Sequence, residues 1–138
     1  MQILLVDDDD GDVMLITETL KEIDSHLEVV RAFDGEDMMN IVNGEVSPPD
    51  LILLDLNMPG VNGLDALKSL RTQSRHSSTP VVVFTTSRSQ RDINGAYSLF
   101  ANAYVQKPQN FDAFKATLQR IYDFWLKANQ RPASYANE

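Results

Sequence analysis

Apolar and polar positions along the chain follow two periods. Short, nearly continuous apolar runs occur at 2–6 (QILLV), 27–32 (LEVVRA), 50–55 (DLILLD), 80–85 (PVVVFT) and 103–106 (AYVQ). Three of them are almost wholly Val, Ile and Leu, the composition of strands covered on both faces, as in parallel sheets. Between these runs, apolar residues recur every three or four positions, the period of a helix with one buried face. Val13, Ile16, Leu20 and Ile23 form one stripe, and Met38, Ile41, Val42 and Val46 a second. Leu64, Leu67 and Leu70 form a third, and Ile93, Ala96, Tyr97 and Phe100 a fourth. The fifth stripe, Phe111, Phe114, Leu118, Ile121 and Trp125, is the most regular. Asn110 precedes it as a suitable N-cap.

Five strands alternating with five helices predict an α/β protein, a (βα)5 doubly wound parallel sheet with right-handed crossovers. Residues 1–127 are expected to form this one domain. Residues 128–138 (ANQRPASYANE) read as a polar, frayed tail with no output domain. In such sheets the ligand crevice lies at the carboxyl ends of the central strands. The residues that follow the strands therefore belong together: Asp7 and Asp8, then Asp55 and Asn57, then Thr85, then Lys107.

Charge and composition remove several alternatives. Twelve Lys+Arg against 20 Asp+Glu give a net charge of −8. That balance argues against a nucleic-acid partner, whose phosphates call for Lys and Arg, and against an anionic membrane surface. No apolar run approaches the roughly 18 residues of a membrane span. Met1 leads almost directly into a strand pattern, so no secretion signal is expected, and the absence of cysteine accords with a cytoplasmic protein.

The run LLVDDDD ends an apolar segment on adjacent carboxylates, which repel unless a cation, hydrogen bonds or solvent compensates them. Hard oxygen ligands suit Mg2+. A carboxylate is also a nucleophile toward phosphorus, giving an aspartyl phosphate, with the metal neutralising the incoming phosphoryl charge. Asp9, Asp10 and Asp12 read as solvated charges favoured by the dipole at a helix N-terminus. A calcium loop fails on spacing: with Gly11 as its sixth residue, the first ligand would be Val6 and the twelfth Thr17. His26 and His76 fall in a turn and a loop and are expected at the surface.

Four segments together carry a family resemblance: LLVDDDD, LILLDLNMPGVNGLDAL, PVVVFTTS and AYVQKP. In this order and spacing, the chain resembles the receiver domain of two-component response regulators over about residues 2–125. The resemblance implies a flavodoxin-like sheet of strand order 2-1-3-4-5. It implies that Asp8, Asp55 and the backbone carbonyl of Asn57 hold Mg2+, with Asp7 acting through a water. Asp55 is then the acceptor of a phosphoryl group from the phosphohistidine of a sensor histidine kinase. Lys107 and Thr85 hold the acyl phosphate, Thr85 moves toward it, and Tyr104 turns inward as the switch aromatic, reshaping the face of the fourth helix, fifth strand and fifth helix. The resemblance further implies a cis bond at Lys107–Pro108, small residues at Gly60 and Gly63 where a donor approaches, and a smaller residue than Thr86 at its position. Such a domain assists its own phosphorylation and is a signalling module and not an enzyme.

The segment AYSLFANAYVQKPQNFDAFKATLQRIYDFWL is similar to the stand-alone regulators of cyanobacterial-type phytochrome kinases, which often dimerise. Phe124 and Trp125, in its FWL ending, are candidates for a dimer or kinase interface, with helix-end packing as the alternative. A competing function is an aspartyl-phosphate phosphatase of the haloacid dehalogenase type, which needs a second Asp where Asn57 stands. Another is a receiver-like scaffold that takes no phosphate; Asp7, Asp8, Asp55, Thr85 and Lys107 together argue against it.

Overall fold

The computed structural model describes residues 1–44, 47–58 and 62–132. The expected helix position Val46 and the loop position Gly60 lie outside them. Strands and helices alternate as β1 (Gln2–Val6), α1 (Asp10–Ile23), β2 (Glu28–Ala32), α2 (Gly35–Gly44), β3 (Leu51–Leu54), α3 (Gly63–Thr72), β4 (Val81–Thr85), α4 (Gln90–Ser98), β5 (Ala103–Gln106) and α5 (Phe111–Tyr122). The sheet has the order β2-β1-β3-β4-β5 with every neighbouring pair parallel. This is the doubly wound (βα)5 parallel sheet that the alternating periods predict, in the strand order that the resemblance implies.

The strict side-chain alternation of a strand divides the core in two. Leu4, Val6, Ile52, Leu54, Val81 and Val83 point to one face, where Met38, Val42, Ala66, Leu67, Leu70 and Ala96 from α2, α3 and α4 meet them. Ile3, Leu5, Leu51, Leu53, Val82 and Phe84 point to the other, against Ile16 and Leu20 of α1 and Phe114, Leu118 and Ile121 of α5. Each of the larger ones, the Val, Leu, Ile, Met and Phe side chains, contributes about 1.5–3 kcal/mol by leaving water, so the three central strands anchor the fold.

Helix starts follow local chemistry. Asp9, Asn62, Ser89 and Asn110 each cap a helix by accepting the backbone N–H three residues on. Phe111, although it starts the regular α5 stripe, is exposed at 58% and lies under the Lys115 ammonium, 5.5 Å from its ring centre. Beyond Tyr122 the helix widens into a π-helical turn, Asp123–Ala128. Of the tail expected over 128–138, residues 133–138 lie outside the described residues. Arg131 pairs with Asp50 at 3.0 Å and donates to the Trp125 and Leu126 carbonyls, which ties this end of the chain to the start of β3.

Two sequence expectations are corrected. No peptide bond among the described residues is cis, so Lys107–Pro108 is trans. The trans form is the default for X-Pro bonds, and here it coexists with a Lys107 N–H that extends the β4–β5 ladder to the Thr85 carbonyl at 2.7 Å. His76 is buried at 1% exposure, not at the surface. Arg71 gathers the carbonyls of His76 and Thr79 at 3.0 and 2.7 Å, and this folds the loop inward over the imidazole. His26 is exposed as expected.

Candidate functional site

Backbone ladder bonds at the carboxyl edge of the sheet bring the acidic residues together. The Asp7 N–H donates to the Ala32 carbonyl at 3.1 Å, and the Asp55 N–H donates to the Val6 carbonyl at 2.9 Å. Asp7 and Asp55 thus leave adjacent strands side by side. One carboxylate oxygen from each of Asp7, Asp8 and Asp55 lies within 4.8 Å of the others. They border an open crevice of about 470 Å³ whose lining includes Asp8, Asp55, Asn57, Thr86 and Lys107. A buried or half-buried trio of hard oxygen donors beside open space fits a divalent cation such as Mg2+, which keeps several of its waters.

Lys107 supplies the positive charge. Its Nζ donates to Asp7 at 2.7 Å, Asp12 at 2.8 Å and Asp55 at 3.3 Å, and its side chain is only 3% exposed. Burial works against its charged form, but the hydrogen bonds to Asp12 and Asp7 and the nearby Asp55 charge outweigh it and raise its pKa. Asp7 shows the opposite balance: burial raises its pKa, and the hydrogen bond from Lys107 offsets this only in part. The second carboxylate oxygen of Asp7 caps the turn into α1 by accepting the Asp9 N–H at 2.9 Å.

The hydroxyl side of the site is linked through Asn57. Its backbone N–H donates to Asp55 Oδ1 at 3.1 Å, and its amide Nδ2 donates to the hydroxyls of Thr85 and Thr86 at 3.3 Å each. Thr85 is fully buried at the end of β4, whereas Thr86 is exposed and lines the crevice. Tyr104 is half-buried, and its hydroxyl donates to the Ser87 carbonyl at 2.9 Å. Burial raises its pKa. Gly63 has a packing role beside Asp55: a Cβ there would sit 2.6 Å from the Asp55 carbonyl oxygen.

Asp7, Asp8, Asp55, Asn57, Thr85 and Lys107 therefore converge as their strand-end positions predict. Asp12 joins them unannounced, because it looked like one more solvated helix-start carboxylate. Its spacing was the available signal, since the residue four beyond Asp8 returns to the crevice side of α1. Asp9 is spent on capping, and Asp10 pairs with Arg31 at 2.8 Å on the exposed rim. At the far end of the molecule, Phe124 is exposed at 52% and Trp125 is half-buried against the α1–α5 core. Their rings meet edge to face, 4.9 Å apart.

A five-stranded 2-1-3-4-5 sheet with a carboxylate trio and a buried lysine at its carboxyl edge defines a two-component receiver domain, and residues 3–119 match the response regulator receiver domain family, to which the chain belongs. Among similar proteins, response regulator Rcp1 of Synechocystis sp. is 37% identical over 139 residues, spanning 96% of this chain and 93% of its own. Probable methanogenesis regulatory protein FilR2 of Methanothrix harundinacea is 34% identical, over 94% of this chain and 86% of its own. The phosphorylated cyanobacterial phytochrome response regulator RcpA superimposes with a TM-score of 0.90 at 35% identity, covering 96% of this chain and 98% of its own. The Mn(2+)-bound form of Rcp1 gives 0.88 at 34% identity, covering 96% and 99%. No helix among the described residues is long and apolar enough to cross a membrane.

Proposed function

We propose that the chain is a stand-alone response regulator whose phosphoacceptor is Asp55. The observation that carries this reading is the position of Asp55 at the end of the central strand β3. Its carboxylate lies beside those of Asp7 and Asp8 and 3.3 Å from the Lys107 ammonium, and it lines the crevice. An Asp55 oxygen attacks the phosphorus of a kinase phosphohistidine. The P–O bond forms as the P–N bond breaks, and the electron pair leaves with the imidazole nitrogen, which takes up a proton. Asp8, Asp55 and the Asn57 carbonyl, with Asp7 through a water, would hold a Mg2+ that would neutralise charge on the transferring group. The Mn(2+)-bound form of the relative Rcp1 supports such a cation site.

Lys107 then gives a hydrogen bond to a phosphoryl oxygen in place of Asp55. Thr85 exchanges the Asn57 amide for the phosphoryl group, and Tyr104 follows on the far side of the β4–α4 loop, so the α4–β5–α5 face carries the signal to a protein partner. The partners are a sensor histidine kinase and a second copy of the chain through Phe124 and Trp125, not nucleic acid or a membrane. The place of action is the cytoplasm. The resemblance to Rcp1 and RcpA supports a phytochrome-type kinase. The phosphatase alternative lacks its second acid, because Asn57 stands where it needs an Asp.

Intact mass after incubation with acetyl phosphate tests the reading. One phosphoryl adduct that requires both Mg2+ and Asp55, and is lost in Asp55→Asn, is expected. An adduct of equal yield on Asp55→Asn would sink the assignment.

A further inference from the structure

Three carboxylates share one ammonium in this crevice, and the least anticipated of them is Asp12. A lysine ammonium has three N–H donors. Here the two short bonds go to Asp7 and Asp12, at 2.7 and 2.8 Å, and the long one goes to Asp55, at 3.3 Å. Asp7 approaches from the end of β1 and Asp12 from the first turn of α1, so two different elements hold Nζ. The place of Asp12 is itself fixed: its N–H donates to the Asp9 carboxylate at 2.9 Å as part of the α1 cap. Its side chain is 34% exposed against 3% for Lys107, so it closes the solvent side of the ammonium.

We propose that Asp12 is a positioning residue that draws Lys107 away from Asp55, resting on the reading of Asp55 as the phosphoacceptor. With two donors committed to Asp7 and Asp12, only one weak donor reaches the Asp55 carboxylate. Its oxygens stay available to the cation and to the incoming phosphorus. That same donor is the one Lys107 transfers to the phosphoryl group, without breaking its two shorter bonds. Without Asp12, Nζ settles on Asp55, and the ammonium competes with the divalent cation for the same carboxylate.

Two substitutions separate this role from bulk charge. Asp12→Ala and Asp12→Asn remove the same negative charge, but the Asn carbonyl still accepts from Lys107. Mg2+ titrations followed by NMR of the backbone amides give the dissociation constant without reference to any activity. Asp12→Ala is expected to bind Mg2+ about fivefold more weakly than Asp12→Asn, in the range of couplings between touching residues. In a Lys107→Ala background the two variants are expected to bind alike, because Asp12 acts only through the lysine. Equal dissociation constants for Asp12→Ala and Asp12→Asn with Lys107 present would overturn the positioning role while leaving the acceptor reading intact. A fivefold gap that persists in Lys107→Ala would overturn it too. Wild-type protein that bound no Mg2+ and took no phosphoryl group would overturn both.

Discussion

Lys107 donates from Nζ to Asp7 Oδ2 at 2.7 Å although 100 residues separate the two along the chain, and both side chains are all but excluded from solvent. Deleting one member of a buried pair leaves the other charge uncompensated, a loss of about 3–5 kcal/mol. Lys107→Ala should therefore be destabilised by about 3 kcal/mol in metal-free buffer, and far less when Mg2+ replaces the missing positive charge. Urea unfolding in EDTA and in Mg2+ checks this. The same loss in both buffers would mean that the cation does not compensate the same carboxylates.

Gly63 approaches the strand end that carries the acceptor. Its missing Cβ would fall 2.6 Å from the Asp55 carbonyl oxygen and 2.7 Å from Leu56 Cα, both backbone atoms that cannot swing aside. Gly63→Ala is expected to cost about 1–3 kcal/mol by overpacking and to slow phosphorylation, because the shift acts directly on Asp55. Thermal melts beside acetyl phosphate kinetics test it, and a variant with wild-type stability would contradict the packing.

His76 predicts an acid-sensitive fold. Burial, aided by the neighbouring Arg75, lowers its pKa below the ordinary 6.5. Its neutral form therefore contributes stability above pH 6.5 that is lost as pH falls through the depressed folded-state value. Between pH 7 and 5 the wild type should lose more stability than His76→Gln. Parallel slopes in the two proteins would contradict this origin.

Tyr122 and Asp24 predict a pH window of their own. The Tyr122 hydroxyl donates to Asp24 Oδ2 at 2.8 Å, across the join of α1 and α5. Burial and the Asp24 carboxylate push the phenol up to about 12, and the hydrogen bond from the phenol lowers Asp24 below 3.8. The raised phenol contributes stability below pH 10 that is lost as pH rises toward 12, and the lowered carboxylate contributes stability above 3.8 that is lost in stronger acid. Tyr122→Phe should fall furthest below wild type between pH 4 and 10, with the melting-temperature gap closing at both extremes.

What the sequence made legible was set by periodicity. Runs such as Leu51–Leu54 and Val81–Thr85 announce strands because both of their faces are buried, and the acceptor, lysine and hydroxyl positions follow from where those runs stop. Asn110 was readable as a cap because capping is local. Asp12 was hard to read because its partner Lys107 lies 95 residues away in the chain, and His76 because its burial depends on how Arg71, five residues before it, gathers the loop carbonyls. The π-helical turn at Asp123–Ala128 was hidden as well. Trp125 keeps the helical stripe while the extra width of the turn puts Leu126 in the core and leaves Phe124 in solvent.

The acidic collar of the crevice has a kinetic consequence. Asp8, Asp9, Asp10, Asp12 and Asp55 all line the opening, and the cations beside them, Lys107 and Arg31, are already engaged by Asp12 and Asp10. A small phosphorylated anion diffusing toward Asp55 meets a repulsive field, whereas a partner protein with a basic rim is pulled in. Exposed charges are screened beyond roughly 8 Å at physiological ionic strength. The second-order rate with acetyl phosphate should thus climb as inert salt is added, while the rate with a basic-rimmed kinase domain falls. On the reading of Asp55 as acceptor, the collar would slow its reaction with stray anionic metabolites and favour a protein that carries the matching charge.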